Sequence, residues 1–147
     1  MRIFPSLVVL AVITTAGLAG NAHADDSVAG TYDVKYEEMS NNCTNVGMTL
    51  GRGVLKVEVK GSTLVIDIER IPLMNGVPAK GKITARSKVG PTSIQGLDGT
   101  FSVAGRAASD GFLQLVFVAE YQVKGKPLCT QSWNISGVKQ SSSTKTK

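Results

Sequence analysis

Histidine is nearly missing from this sequence. The 147 residues hold one, His23, and it lies in a stretch that reads as a removable leader. Residues 1–24 begin with Arg2, run through the apolar segment LVVLAVITTAGLAG and end in Ala22-His23-Ala24. That is the pattern of a secretory signal peptide cleaved near Ala24. The apolar segment falls short of the roughly 20 residues needed to cross a bilayer, and no cysteine stands at the cleavage point to carry a lipid. The expected mature chain, Asp25 to Lys147, has no imidazole. This excludes a Ser-His-Asp or Cys-His nucleophile and an ordinary zinc site. Carboxylate, lysine and tyrosine chemistry remain open in principle. No motif with a committed chemistry appears, so the sequence predicts a non-enzymatic protein with no cofactor and no metal.

Cysteine is also scarce, with only Cys43 and Cys129 present. Neither belongs to a C-x-x-C pair, and no histidine is at hand to generate a thiolate. In an exported chain an isolated pair reads as a disulfide. Closing so long a loop is worth roughly 4–5 kcal/mol at most by chain entropy. The remaining absence is helical periodicity, which no stretch sustains. Removing Arg2 leaves 15 basic residues against 11 acidic ones, a modest positive balance. The unpatterned end QSSSTKTK, residues 140–147, predicts a disordered tail after a single β-domain at 25–139.

What the sequence has in plenty is glycine, with short runs in which Val, Ile, Thr and aromatic residues alternate with polar ones. In VLKVEVKGSTLVIDIERI, a two-residue Gly61-Ser62 turn sets Leu55, Val57 and Val59 opposite Ile68, Ile66 and Leu64 on one face. On the other face Lys56 meets Asp67. In TFSVAGRAASDGFLQLVFVAEYQV, a two-residue Asp110-Gly111 turn mixes the faces. A three-residue Ser109-Asp110-Gly111 loop pairs Phe101 with Ala119, Val103 with Phe117 and Gly105 with Leu115, leaving each strand one apolar face. The same alternation runs through Tyr32-Val34-Tyr36, Ile83-Ala85 and Gln131-Trp133-Ile135. Seven strands result, at about 30–38, 53–60, 63–71, 79–88, 99–107, 112–124 and 128–138, separated by Gly76-Val77-Pro78, Gly90-Pro91 and Gly125-Lys126-Pro127.

The cysteines then constrain topology. Seven strands running up and down leave the end of the first about a strand length, near 30 Å, from the start of the last. A disulfide needs Cα atoms within about 7 Å. One more strand, from 46–50 or 92–97, makes the last antiparallel to the first and brings Cys43 and Cys129 to one rim. The expected fold is an all-β, antiparallel up-and-down barrel of about eight strands. A β-sandwich with long crossings satisfies the same bond.

Gly30-Thr31-Tyr32 opens the first strand. It resembles the Gly-x-Trp start of the calycin group, the lipocalins, avidins and similar barrels, with tyrosine for tryptophan. Lys139 is a loose counterpart of the lipocalin basic residue that covers that ring after the last strand. Eight-stranded barrels hold either packed side chains or one small ligand, and the resemblance implies a pocket. The inward residues Tyr32, Tyr36, Phe101, Phe117, Tyr121 and Trp133, with the amide of Gln131, are the candidate ligand contacts. The expected function is a secreted or periplasmic barrel binding a small, largely apolar ligand. The alternative is a secreted protein-interaction module, such as a hydrolase inhibitor, working through its loops and rim. RIPLMNGVPAKG at 70–81 reads as a long connection able to guard a barrel mouth. Lys82, Thr84, Arg86 and Lys88 read as a solvated outer face rather than a nucleic-acid site, since no aromatic platform accompanies them. The sequons at Asn42 and Asn134 matter only in a eukaryotic secretory route.

Overall fold

Alternating apolar residues become strands when each finds a neighbour for its backbone, and here the neighbours close on themselves. The computed structural model describes residues 28–141; the expected signal peptide and residues 142–147 of the expected tail lie outside them. Nine strands follow in order: β1 (Gly30–Asn41), β2 (Arg52–Lys60), β3 (Thr63–Ile68), β4 (Met74–Gly76), β5 (Lys82–Arg86), β6 (Gly90–Pro91), β7 (Asp98–Ala107), β8 (Phe112–Val123) and β9 (Lys126–Lys139). All pairings are antiparallel. The sheet runs β5-β4-β3-β2-β1-β9-β8-β7, and a β5–β7 pairing closes the ring. β6 adds two residues against the start of β7. Apart from β6, ring order follows chain order, the up-and-down arrangement.

The two hairpins read from sequence have the register their turns dictate. Leu55, Val57 and Val59 face Ile68, Ile66 and Leu64. Phe101, Val103 and Gly105 face Ala119, Phe117 and Leu115. Gly111 takes φ 88°, the left-handed position that closes a three-residue loop. Elsewhere the turns fall differently. The last hairpin turns at Lys124-Gly125 and its strand starts at Lys126, so Gly125-Lys126-Pro127 is half turn and half strand. β3 stops at Ile68 because the chain turns at once, Ile71 N–H donating to the Ile68 carbonyl at 3.0 Å.

The expected source of the eighth strand is corrected. Neither 46–50 nor 92–97 joins the sheet. The latter is a turn, closed by Thr92 N–H to the Leu97 carbonyl at 3.0 Å. The eighth ring member is β4, inside the connection read as loop, where Ile66 faces Met74 and Gly76 faces Ala85. The barrel is consequently uneven. β1, β8 and β9 have 12, 12 and 14 residues, while β4 and β5 have three and five.

β9 lies antiparallel beside β1, with Asn41 facing Gln131, and the disulfide joins Cys43 to Cys129 just beyond, Cα atoms 5.1 Å apart. One-residue bulges flank it, at Met39 in β1 and Leu128 in β9. Inside the ring Tyr32, Leu55, Leu64, Ile66, Ile83, Leu113, Leu115 and Ile135 are sealed from solvent. At the far end, Tyr32 OH donates to the Val28 carbonyl at 2.8 Å, drawing the incoming chain over the core. Sheet bonding also runs past β9: Gln140 N–H donates to the Thr31 carbonyl at 2.7 Å, and its side-chain amide to Asp33 at 2.8 Å.

Candidate functional site

The disulfide end of the barrel is assembled from connections between strands. The segment 42–51 leaves β1, crosses this end as a strap and returns into β2. Its alternating Val46, Met48 and Leu50 pack down on the core, as does Cys43. Two anchors hold it. The first is the Cys43–Cys129 bond, supported by Asn42, whose side-chain oxygen accepts from Thr130 N–H at 2.7 Å. The second is Gln131, which is 1% exposed. Its amide oxygen accepts from Met48 N–H at 2.8 Å and from Tyr121 OH at 3.0 Å, and its amide nitrogen donates to the Met48 carbonyl at 3.0 Å. An amide pairing with both the N–H and the C=O of one residue does the work of a strand ladder at that residue. Gly47 is required there. Its φ is 114°, and a Cβ would sit 2.6 Å from the Gln131 amide oxygen.

Beneath and beside the strap lies a pocket of about 640 Å³. Its floor is Phe101, Tyr121 and Leu97. Its walls are the strap from Gly47 to Leu50, the turn Glu69–Pro72 and the segment Pro91–Ile94. Phe101 is fixed from behind: its N–H donates to the Ser87 hydroxyl at 2.9 Å and its carbonyl accepts from Ser87 N–H at 2.8 Å. Ser87 thus extends the β5–β7 pairing by one residue beyond β5. Thr92 is on the wall but its hydroxyl is already engaged, donating to the Leu97 carbonyl at 2.8 Å and accepting from Ile94 N–H at 3.1 Å.

The turn Ile68–Ile71 carries the two charged residues of the wall. Glu69 has an ordinary backbone, whereas Arg70 has φ 68°. That is the third residue of a four-residue turn with one positive φ, where glycine or asparagine is the unstrained choice. A side chain with a Cβ costs roughly 1–2 kcal/mol there. Among the described residues no acid lies within ion-pair distance of Arg70. Ion pairs on the outer surface include Lys35–Glu37, Lys60–Glu58 and Arg86–Glu120.

All seven residues expected to face the interior are buried. Only Phe101 and Tyr121 border the pocket. Phe101 stands edge-on to Tyr121 at 6.4 Å and stacks on Phe117 at 6.1 Å, and Phe117 stacks on Trp133 at 5.3 Å. The four rings form a chain from the pocket floor into the core, so Phe117 and Trp133 support the floor from below. Tyr32 lies at the opposite end, and Gln131 is committed to the strap. Burial pushes the Tyr36 and Tyr121 hydroxyls up to about 12 and raises Tyr32 as well. These phenols therefore stay protonated at neutral pH. Sequence reasoning missed Arg70, Leu97, Ser87 and the strap residues. The apolar alternation of 46–50 and the long connection at 70–81, whose first residues line the pocket, were the available signals.

A second, shallower groove of about 580 Å³ runs on the outer face between Lys35, Arg52, Phe112 and Val138. Among the described residues no three of His, Cys, Asp or Glu gather as metal ligands, and no helix is long and apolar enough to cross a membrane. Compared with known proteins, the chain matches no family model, no curated protein and no solved structure.

Proposed function

We propose that this protein is an exported, non-enzymatic β-barrel that holds a small, largely apolar ligand in the pocket at its disulfide end. The observation that carries this reading is the pocket itself, a concavity with an apolar floor of Phe101, Tyr121 and Leu97 and a mixed wall, roofed in part by a doubly anchored strap. A concave site that joins an apolar floor to placed polar groups is the usual form of a small-molecule site. The ligand lies at the barrel mouth rather than along the axis, because stacked rings occupy the axis. The one phenol bordering the pocket, Tyr121, already donates its proton to the Gln131 amide oxygen, which favours a structural role for it. The disulfide favours an oxidising compartment, outside the cell or in a periplasm. Lys139 faces Tyr32 across the strands and packs its methylenes along Gly30, closing the end of the barrel away from the pocket.

The test is calorimetric titration with octan-1-ol. The expected result is saturable one-to-one binding, weakened about tenfold in Ile94→Asp, which puts a charge on the pocket wall. Absence of saturable binding across a panel of neutral apolar compounds refutes the reading. A second reading, an interaction module for a secreted protein, is favoured by Leu73 and Val89, 54% and 55% exposed on loops at the same end. Under that reading Leu73→Asp and Val89→Asp abolish a protein complex without affecting octan-1-ol.

A further inference from the structure

We propose that the pocket ligand carries an anionic head, and that Arg70 is the residue that recognises it. The inference rests on the pocket reading above and adds the chemistry of one end of the ligand. The first observation is backbone geometry. Arg70 is held in the left-handed region at φ 68°, in a turn that Ile71 N–H closes onto the Ile68 carbonyl. A glycine or asparagine would adopt this turn without strain. Strain of this kind collects at ligand sites, where the side chain has a use that offsets it.

The second observation is position. Arg70 belongs to the pocket wall together with Leu50, Ile71 and Leu97, at the edge where the pocket meets an outer groove bordered by Val54, Lys56 and Asp67. A guanidinium next to an apolar floor matches a molecule with an apolar body and a planar anionic end, since it offers a fork of donors to a carboxylate. The third is the lack of an internal partner: no described acid pairs with Arg70, whereas Arg86 on the outer face takes Glu120 at 2.9 Å. Of the wall's hydroxyls, that of Thr92 is spent on the Leu97 carbonyl and the Ile94 amide, while Thr49 and Ser93 supply neutral donors only. Glu69 is the opposing charge. It precedes Arg70 in the turn with no backbone strain, and it lowers affinity for an anion without supplying a donor.

Octanoate and octan-1-ol differ only at the head, so the ratio of their affinities at neutral pH reports the head and cancels the apolar body. The expected result for the natural chain is octanoate bound about tenfold more tightly, the scale of one charge-assisted hydrogen-bonded pair near solvent. Raised salt shrinks that ratio. Arg70→Gly brings it to one or below while keeping the melting temperature at or above that of the natural chain, because glycine relieves the turn. Arg70→Lys keeps part of the ratio, and Glu69→Gln raises it a few-fold. Equal ratios in the natural chain and Arg70→Gly, with both compounds binding, overturn the role of Arg70 and leave the pocket standing. If neither compound binds the natural chain, pocket and head recognition both fall.

Discussion

Replacing both cysteines by serine is the most demanding test of how this barrel is held. The bond joins residues 86 apart in sequence. Loop-closure entropy for a ring of that length predicts that the unfolded chain gains freedom worth about 4–5 kcal/mol on losing the bond. The native state loses little by comparison. The β1–β9 ladder from Tyr32 to Asn41 and the Gln131 anchor remain, and serine fills most of the space of cysteine. Most of the effect therefore lies in the unfolded state, and that has a signature. The unfolded chain without the cross-link is more open, so the urea m-value rises as stability falls. A loss arising from damaged native contacts leaves m unchanged. The assay is equilibrium urea unfolding of the Cys43→Ser, Cys129→Ser double variant against the oxidised chain. For a domain of this size the fall corresponds to a melting temperature lower by well over 10 °C. A loss below about 1 kcal/mol, or a large loss with an unchanged m-value, refutes the account.

Two further predictions follow from the polar groups. Gln131→Leu removes the acceptor of Met48 N–H and Tyr121 OH and the donor to the Met48 carbonyl. It costs about 2–4 kcal/mol, since orphaned buried groups forfeit their solvation, and hydrogen exchange should rise at Met48 far more than in β7 or β8. All three tyrosines are raised above 10.0, two of them to about 12, by burial of a neutral phenol. The folded state then binds more protons than the unfolded state above pH 10, so stability falls as pH rises from about 10 to about 12. Tyrosinate absorbance should appear together with unfolding, and titration of the phenols in the intact fold below pH 10 would contradict this.

The parts of the barrel that sequence reveals are those where two independent signals agree. For β2–β3 and β7–β8, a turn that fixes register coincides with alternation that fixes a face, and only one pairing satisfies both. β4 has neither signal. Three residues are too few to show a period, and Met-Asn-Gly amid prolines reads as loop. Its strand character comes entirely from the edges of β3 and β5 on either side. The segment 46–50 is the reverse case. Val46, Met48 and Leu50 alternate correctly and do face the core, yet alternation reports burial and not pairing. A glutamine side chain supplies the backbone partner that a strand would have given. Gln131 itself looked like a polar contact for a ligand because it sits on an inward face, and its commitment to the strap depends on a fold of segment 42–51 that no local pattern encodes. Arg70 was invisible because the sign of a φ angle is set by the turn around it.

The two ends of the barrel follow from the same physics with opposite results. At the far end the chain arrives through Val28, which is sealed against Tyr32, and hairpin tips at Gly61-Ser62 and Ser109–Gly111 lie close to their strands. Short turns leave no material to line a concavity. At the disulfide end β3 stops early, β4 starts late and β5 ends at Arg86, so the chain travels between strands in three excursions, at 42–51, 69–73 and 87–97, where the far end has one, at 77–81. Excursions of this length are stable only if something other than a ladder holds them, and each has its own device: a disulfide with the Gln131 amide, the bond from Ile71 N–H to the Ile68 carbonyl, and the Ser87 and Thr92 hydroxyls. The pocket is the space these devices keep open. A small barrel whose axis is filled with aromatic rings therefore still presents a recess at one mouth, where strands of unequal length fail to meet.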